Sequence, residues 1–91
     1  MKPLPKRVRI KRNISYKVIE TKFDNPEDLG KCDPVLRVIE IKKGLSQKLQ
    51  RQTLIHEILH AIEFENGIKI PHRAIYQLDL ALEEILRLNR W

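Results

Sequence analysis

The sequence contains one cysteine, no long apolar run and no internal repeat. A lone Cys32 excludes a disulfide within the chain and fits a reducing compartment. No stretch has the roughly 20 apolar residues that a bilayer span needs, and the basic N-terminus lacks the apolar segment of a signal peptide. We therefore expect a cytoplasmic protein that does not cross a membrane.

Charge is concentrated at one end of the chain. With 91 residues there is room for a single small core, so we expect one domain over residues 1–91. The formal net charge is +6, and six basic residues between Lys2 and Arg12 account for it. We expect residues 6–12 to form a basic strand that protects a sheet edge from aggregation; contact with nucleic acid is the less favoured alternative. Abundant Lys, Arg and Glu also hint at a thermophilic source.

Hydrophobic patterns predict three strands followed by two helices. Alternating charged and apolar residues predict a hairpin or two successive strands over residues 6–22, and a β-branched run predicts a third over residues 35–41. Turn formers between them, in residues 25–34, predict a surface loop. Helical spacing predicts one helix over residues 46–66 and another from Pro71 to about Asn89. This is an α+β fold with both helices on one face of an antiparallel or mixed sheet.

The first predicted helix carries the motif H-E-x-x-H, the zinc-binding signature of many metallopeptidases, as His56-Glu57-Ile58-Leu59-His60. Side chains four positions apart lie on one helix face, so both imidazoles can bind one Zn²⁺ at about 2.0–2.1 Å. Glu57 is poorly placed as a ligand but can take a proton from the water that zinc polarises. Two partly buried histidines without a metal are the alternative.

Catalytic zinc needs a third protein ligand beyond the two of the motif. His72 is the only other histidine, and it stands at the start of the second predicted helix. A carboxylate of that helix is the alternative: Asp79, Glu83 or Glu84. Glu63 and Glu65 are less favoured as third ligands than these carboxylates, because three ligands from one helix converge poorly on a point.

The second predicted helix has a strip of polar residues beside an apolar stripe formed by Ile75, Leu78, Ala81, Leu82, Ile85 and Leu86. At 100° per residue His72, Tyr76, Asp79 and Glu83 fall on this strip, which could line a cleft. Tyr76 would then donate a hydrogen bond to the developing oxyanion, and Asp79 would orient a histidine. A solvated face is the alternative for Asp79 and Glu83.

The motif, placed after a short sheet and before a C-terminal helix, resembles that of the minigluzincins, minimal metallopeptidases of thermophilic prokaryotes such as proabylysin and projannalysin. The resemblance covers essentially the whole chain. It implies the ligands His56 and His60, the general base Glu57, and a histidine third ligand matching His72, whereas larger gluzincins use glutamate. His56 to Ala61 with Ile70-Pro71-His72 is also similar to the SprT-like proteases, which are longer and often associated with DNA.

The expected function is a zinc-dependent endopeptidase acting on a peptide or protein, with the strand before the motif helix as an edge that could hold an extended substrate. Minigluzincins are thought to be kept inactive by their C-terminal segments, which implies a zymogen-like form here. Residues 87–91 of the same chain, or of a partner through the C-terminal helix, would cover the cleft. The alternative is a catalytically idle zinc-stabilised binding module or nucleic-acid adaptor.

Overall fold

The structure, a computed structural model, describes residues 3–90 as a mixed sheet and two helices. In chain order the elements are β1 (Arg7–Lys11), β2 (Ile14–Thr21), β3 (Gly30–Asp33), β4 (Val38–Lys42), α1 (Gln47–Asn66) and α2 (His72–Leu88). The strand order is β1-β2-β4-β3, with β2 parallel to β4 and the outer pairs antiparallel. The predicted α+β class and both helices are confirmed. Neither helix is long and apolar enough to cross a membrane.

The sheet has four strands, so the prediction of three was wrong. β3 lies inside the predicted loop, where its sequence has no β-branched residue to mark a strand. The predicted third strand also begins too early. Asp33 Oδ1 accepts hydrogen bonds from the backbone N–H groups of Val35 at 2.9 Å and Leu36 at 3.0 Å, and Arg37 has φ 55°. These contacts make a turn, and β4 begins only at Val38.

β1 is an edge strand, as expected for the basic N-terminal segment. Its basic residues Arg7, Arg9 and Lys11 are exposed, while Val8 and Ile10 pack against the core. The alternation predicted from the sequence is therefore confirmed, and the position of the charges fits protection of a sheet edge.

α1 begins and ends where its capping residues predict. Ser46 Oγ accepts a hydrogen bond from the Leu49 backbone N–H at 3.2 Å, and Gly67 adopts the left-handed conformation with φ 60°. The helix packs on two sides. Leu54 and Ala61 face the sheet, and Ile55, on another side, faces α2.

α2 packs on α1 and, within residues 3–90, on none of the strands. The predicted pair of helices side by side on the sheet is therefore replaced by three layers, with α1 in the middle. Ile75 is fully buried against α1, but Leu78 and Ile85 of the predicted apolar stripe are exposed. Asp79 and Glu83 are buried instead, with 2% and 1% exposure, so the solvated-face alternative is wrong for both.

Candidate active site

Three histidine side chains meet where the start of α2 crosses the middle of α1. His56 and His60 lie one turn apart on α1, and His72 is the first residue of α2. Ring centroids are 4.9 Å apart for His56 and His60, 5.6 Å for His56 and His72, and 5.5 Å for His60 and His72. One ring nitrogen from each residue lies within 4.8 Å of the other two. These residues can hold a metal ion between them.

The spacing of the motif histidines fits zinc. The Nε2 atoms of His56 and His60 are 3.3 Å apart. Two nitrogen ligands at 2.0–2.1 Å from a tetrahedral Zn²⁺ lie about 3.3–3.4 Å from each other. The pair already has the separation that two tetrahedral ligands need.

His56 is oriented by a carboxylate of α2. Its Nδ1 lies 2.7 Å from Asp79 Oδ2, and Gln52 Nε2 donates a hydrogen bond to Asp79 Oδ1 at 3.1 Å. Because a carboxylate only accepts, the hydrogen of the neutral imidazole is on Nδ1, and the Nε2 lone pair faces the other histidines.

His60 is oriented in the same way by a carboxylate of α1. Its Nδ1 lies 2.8 Å from Glu63 Oε1, and Glu63 Oε2 accepts a hydrogen bond from the Ile70 backbone N–H at 2.8 Å. The bond from Ile70, followed by the bond from His60, lowers the pKa of Glu63. The Nε2 lone pairs of His56 and His60 thus point at one another, an arrangement that a cation between them stabilises.

The other carboxylates considered as third ligands have different partners. Asp79 is bonded to His56. Glu83 pairs with Arg51 at 3.1 Å and with Arg87 at 3.3 Å, and Glu84 is exposed. No carboxylate of α2 joins the three histidine nitrogens within the part of the chain that the structure describes.

Glu65 belongs to a separate contact that fastens the C-terminal end of α1 to the sheet. The Tyr16 hydroxyl donates a hydrogen bond to Glu65 Oε2 at 2.6 Å, and Arg37 pairs with Glu65 at 3.3 Å. Chiefly the Tyr16 bond, and then the Arg37 guanidinium, lower the pKa of Glu65. Glu65 therefore positions the helix and takes no part in the histidine cluster.

The side chain of Glu57 points from α1 toward β3, and the residue is only 7% exposed. Burial raises the pKa of its carboxyl to about 7, and the charge of His60 acts in the opposite direction. β3 passes so close that a Cβ on Gly30 would lie 2.6 Å from Thr53 Cγ2 and 3.1 Å from Glu57 Oε2. The sequence pattern predicted a loop at Gly30 and did not reveal this steric role, because Thr53 and Glu57 lie more than 20 residues further along the chain.

Tyr76 stands at the rim of the site and is 57% exposed. Its ring centroid is 4.9 Å from that of His56 and 4.9 Å from that of His72. The predicted strip on α2 thus divides by burial. His72 and Tyr76 face the cleft, and Asp79 behind them holds His56.

Grooves run along both sides of the cluster, and Glu57 lines each of them. The larger, of about 620 Å³, is bordered by His60 and by two exposed apolar residues, Phe64 and Ile68. Cys32 of β3 also lines it, and burial raises the pKa of this thiol to about 12. The smaller groove, of about 210 Å³, passes His56 and has a more polar lining that includes Glu27, Asp28, Gln52, Tyr76 and Asp79.

Residues 12–87 match the family model Peptidase_M78, described as the IrrE N-terminal-like domain. The match runs from the end of β1 almost to the end of α2 and includes all three histidines and Glu57. No curated protein and no solved structure matches the chain.

Proposed function

The chain belongs to the Peptidase_M78 family of IrrE N-terminal-like domains, and on that premise we propose that it is a zinc-dependent peptidase. The observation that carries the proposal is the convergence of His56, His60 and His72 on one point beside Glu57. Three histidine side chains beside a groove that is open to solvent are a donor set that would suit catalytic zinc. The small size and the histidine triad also support a minigluzincin-like type.

In the proposed reaction the buried carboxylate of Glu57 moves the proton. When bound, Zn²⁺ supplies Lewis acidity that polarises a peptide carbonyl and makes water a stronger acid. Glu57 takes one proton from the attacking water as the C–O bond forms and delivers it to the leaving amine nitrogen as the C–N bond breaks. Asp79 and Glu63 hold the His56 and His60 rings. Tyr76, whose ring centroid lies 4.9 Å from that of His56, would donate a hydrogen bond from its hydroxyl to the carbonyl oxygen.

The proposed substrate is an extended peptide lying along β3. The strand directly before the motif helix was predicted to be the binding edge, but that strand is β4, which lies between β2 and β3. β3 is the edge strand beyond β4, and its Cys32 borders the larger groove. A peptide paired with β3 by strand addition would pass Glu57, and an apolar side chain of it would contact Phe64 and Ile68.

Glu57→Gln tests the proposal, because the amide keeps the shape of the side chain but cannot accept the proton. We expect zinc content measured by mass spectrometry to equal that of the wild type, and cleavage of a peptide library to fall by about 100- to 10,000-fold. Glu84→Gln, an exposed change on α2, is the matched control and should leave both unchanged. A wild-type chain that binds zinc and cleaves nothing would instead favour the idle binding module.

We also propose that the C-terminal tail of a partner chain covers the cleft and keeps the enzyme latent. α2 has 17 residues, so its end lies about 24 Å from His72 at the rise of a helix. The three residues 89–91 extend about 10 Å at most. Residues 89–91 of the same chain therefore fall short of His72, which favours a second chain as the source of the tail that covers this residue. Trp91 lies outside the described residues.

Ending the chain at Leu88 tests the latency proposal, because Arg87 and its bond to Glu83 are retained. We expect peptide cleavage to rise with zinc content unchanged, and the full-length chain to gain specific activity on dilution as partners dissociate. Equal activity of the two chains at every concentration would rule out inhibition by the tail.

A further inference from the structure

We propose that Glu63 is a positioning residue that ties the ligands of α1 to the segment that delivers His72. The inference rests on the proposed function, because it concerns the same metal site. Glu63 is three residues after His60 and lies on the same helix face. One carboxylate oxygen holds the His60 ring, and the other holds the backbone of Ile70, two residues before His72.

The contacts of Glu63 join the two ends of the loop between the helices. Both hydrogen bonds of its carboxylate are 2.8 Å long, and the side chain is 16% exposed. Its backbone carbonyl also accepts from the Ile68 N–H at 3.0 Å, just after the left-handed Gly67. The chain from Gly67 to Pro71 is thus held against the last turn of α1, and this fixes where α2 begins.

Asp79 performs the matching task for the other motif histidine. It is on α2 and holds His56 of α1, whereas Glu63 is on α1 and holds the chain that enters α2. Each motif histidine is therefore tied, through a different carboxylate, to the part of the chain that carries His72. Losing either carboxylate would loosen the distance between His72 and the motif pair.

A carboxylate is needed at position 63 because both of its oxygens accept. Glutamine keeps the size of the side chain but has one acceptor oxygen and an NH₂ group that only donates. In Glu63→Gln the amide oxygen can accept either from His60 Nδ1 or from the Ile70 N–H. The NH₂ group then faces whichever of these two donors remains. One of the two bonds is lost without removing side-chain volume.

The first test is zinc affinity measured by competition with a chelator. We expect Glu63→Gln to bind Zn²⁺ about 10- to 100-fold more weakly than the wild type, the range for residues that orient a ligand. The exposed Glu84→Gln is the matched control and should bind as the wild type does. A wild type that binds no zinc overturns the proposed function. A wild type that binds zinc no better than Glu63→Gln overturns this inference alone.

The second test separates positioning from a general loss of stability. In the zinc-loaded protein the Nδ1 hydrogens of His56 and His60 should give separate downfield proton resonances. We expect Glu63→Gln to shift the His60 resonance or to speed the exchange of the Ile70 amide, while the His56 resonance stays in place because Asp79 holds it. Unchanged His60 and Ile70 signals would overturn the inference, as would an equal disturbance of His56.

Discussion

The two packed sides of α1 are built from different kinds of contact. Toward the sheet, Leu54 and Ala61 pack in an apolar cluster with the buried Tyr16. Toward α2, the apolar contact of Ile55 with Ile75 is accompanied by buried polar pairs. These pairs are Arg51 with Glu83 and His56 with Asp79. The middle of the sheet side is packed by apolar side chains, whereas the α2 side combines apolar packing with polar pairs that need particular partners.

This difference separates stability from chemistry within one helix. Apart from the contacts of Glu65 with Tyr16 and Arg37 at the C-terminal end of α1, the sheet side is held by apolar packing, which is non-directional and does not depend on single bonds. The pairs on the other side are directional, and breaking one leaves a charge or a polar group without its partner. Because His72 belongs to α2, the contacts that hold α2 on α1 also position this proposed metal ligand. Changes on the α2 side should therefore alter metal affinity, and changes on the sheet side should not.

The largest effect on zinc affinity should come from His72→Ala, which removes a proposed ligand. We expect zinc affinity to fall well beyond the roughly 10- to 100-fold cost of losing a group that only orients a ligand. His72 is exposed, so the free energy of unfolding of the metal-free chain should change by less than about 0.5 kcal/mol. Chelator competition measures the zinc affinity, and urea unfolding measures the free energy of unfolding. Arg73→Ala, an exposed neighbour, is the control.

Undisturbed zinc affinity in His72→Ala would move the third ligand elsewhere. A carboxylate of α2 would then have to leave its present partner and turn toward the motif pair. Because Asp79 and Glu83 are both bonded and buried, such a result would also mean that α2 sits differently on α1.

The second largest effect on zinc affinity should come from Glu83→Ala, which breaks the charged contact between the helices. Glu83 is 1% exposed, and its loss leaves Arg51 partly buried without its carboxylate. Removing one partner of a buried pair costs about 3–5 kcal/mol of unfolding free energy, and we expect the lower end because both arginines reach solvent. Zinc affinity should fall too, since α2 carries His72. Urea unfolding and chelator competition test this against Glu84→Ala, which should match the wild type.

The sequence predicted the features that depend on neighbouring residues better than those that depend on residues far along the chain. Ser46 and Gly67 marked the ends of α1 correctly, because caps are local in sequence. β3 was missed, since Gly30–Asp33 has no strand pattern of its own and is held in place by β4. The apolar stripe on α2 was predicted only in part, for a similar reason: Ile75, Leu82 and Leu86 pack against α1, but Leu78 and Ile85 are exposed. A helical plot cannot show that Arg51, 32 residues earlier, would bury Glu83.

The candidate site was anticipated in its residues and less so in its supports. The motif and the count of three histidines were enough to name His56, His60 and His72. The role of Glu63 was not foreseen, because its second partner is a backbone N–H whose position depends on the loop. What sequence reasoning missed is the set of contacts made only after the chain has turned back on itself.

The smallest effect on zinc affinity should come from Leu54→Ala, a change on the side of α1 that faces the sheet. Leu54 is 7% exposed in the cluster with Tyr16 and Ala61, and such a truncation costs roughly 2–5 kcal/mol through lost burial and the cavity left behind. We expect the lower end of this range in urea unfolding. Zinc affinity, measured where the variant is fully folded, should equal that of the wild type, because Leu54 points away from α2. Leu80→Ala, a half-exposed leucine on α2, is the control and should change the free energy of unfolding by less than about 0.5 kcal/mol. If Leu54→Ala weakened zinc binding as much as Glu83→Ala, the two sides of α1 would not be separate, and the sheet would have to be counted among the supports of the metal site.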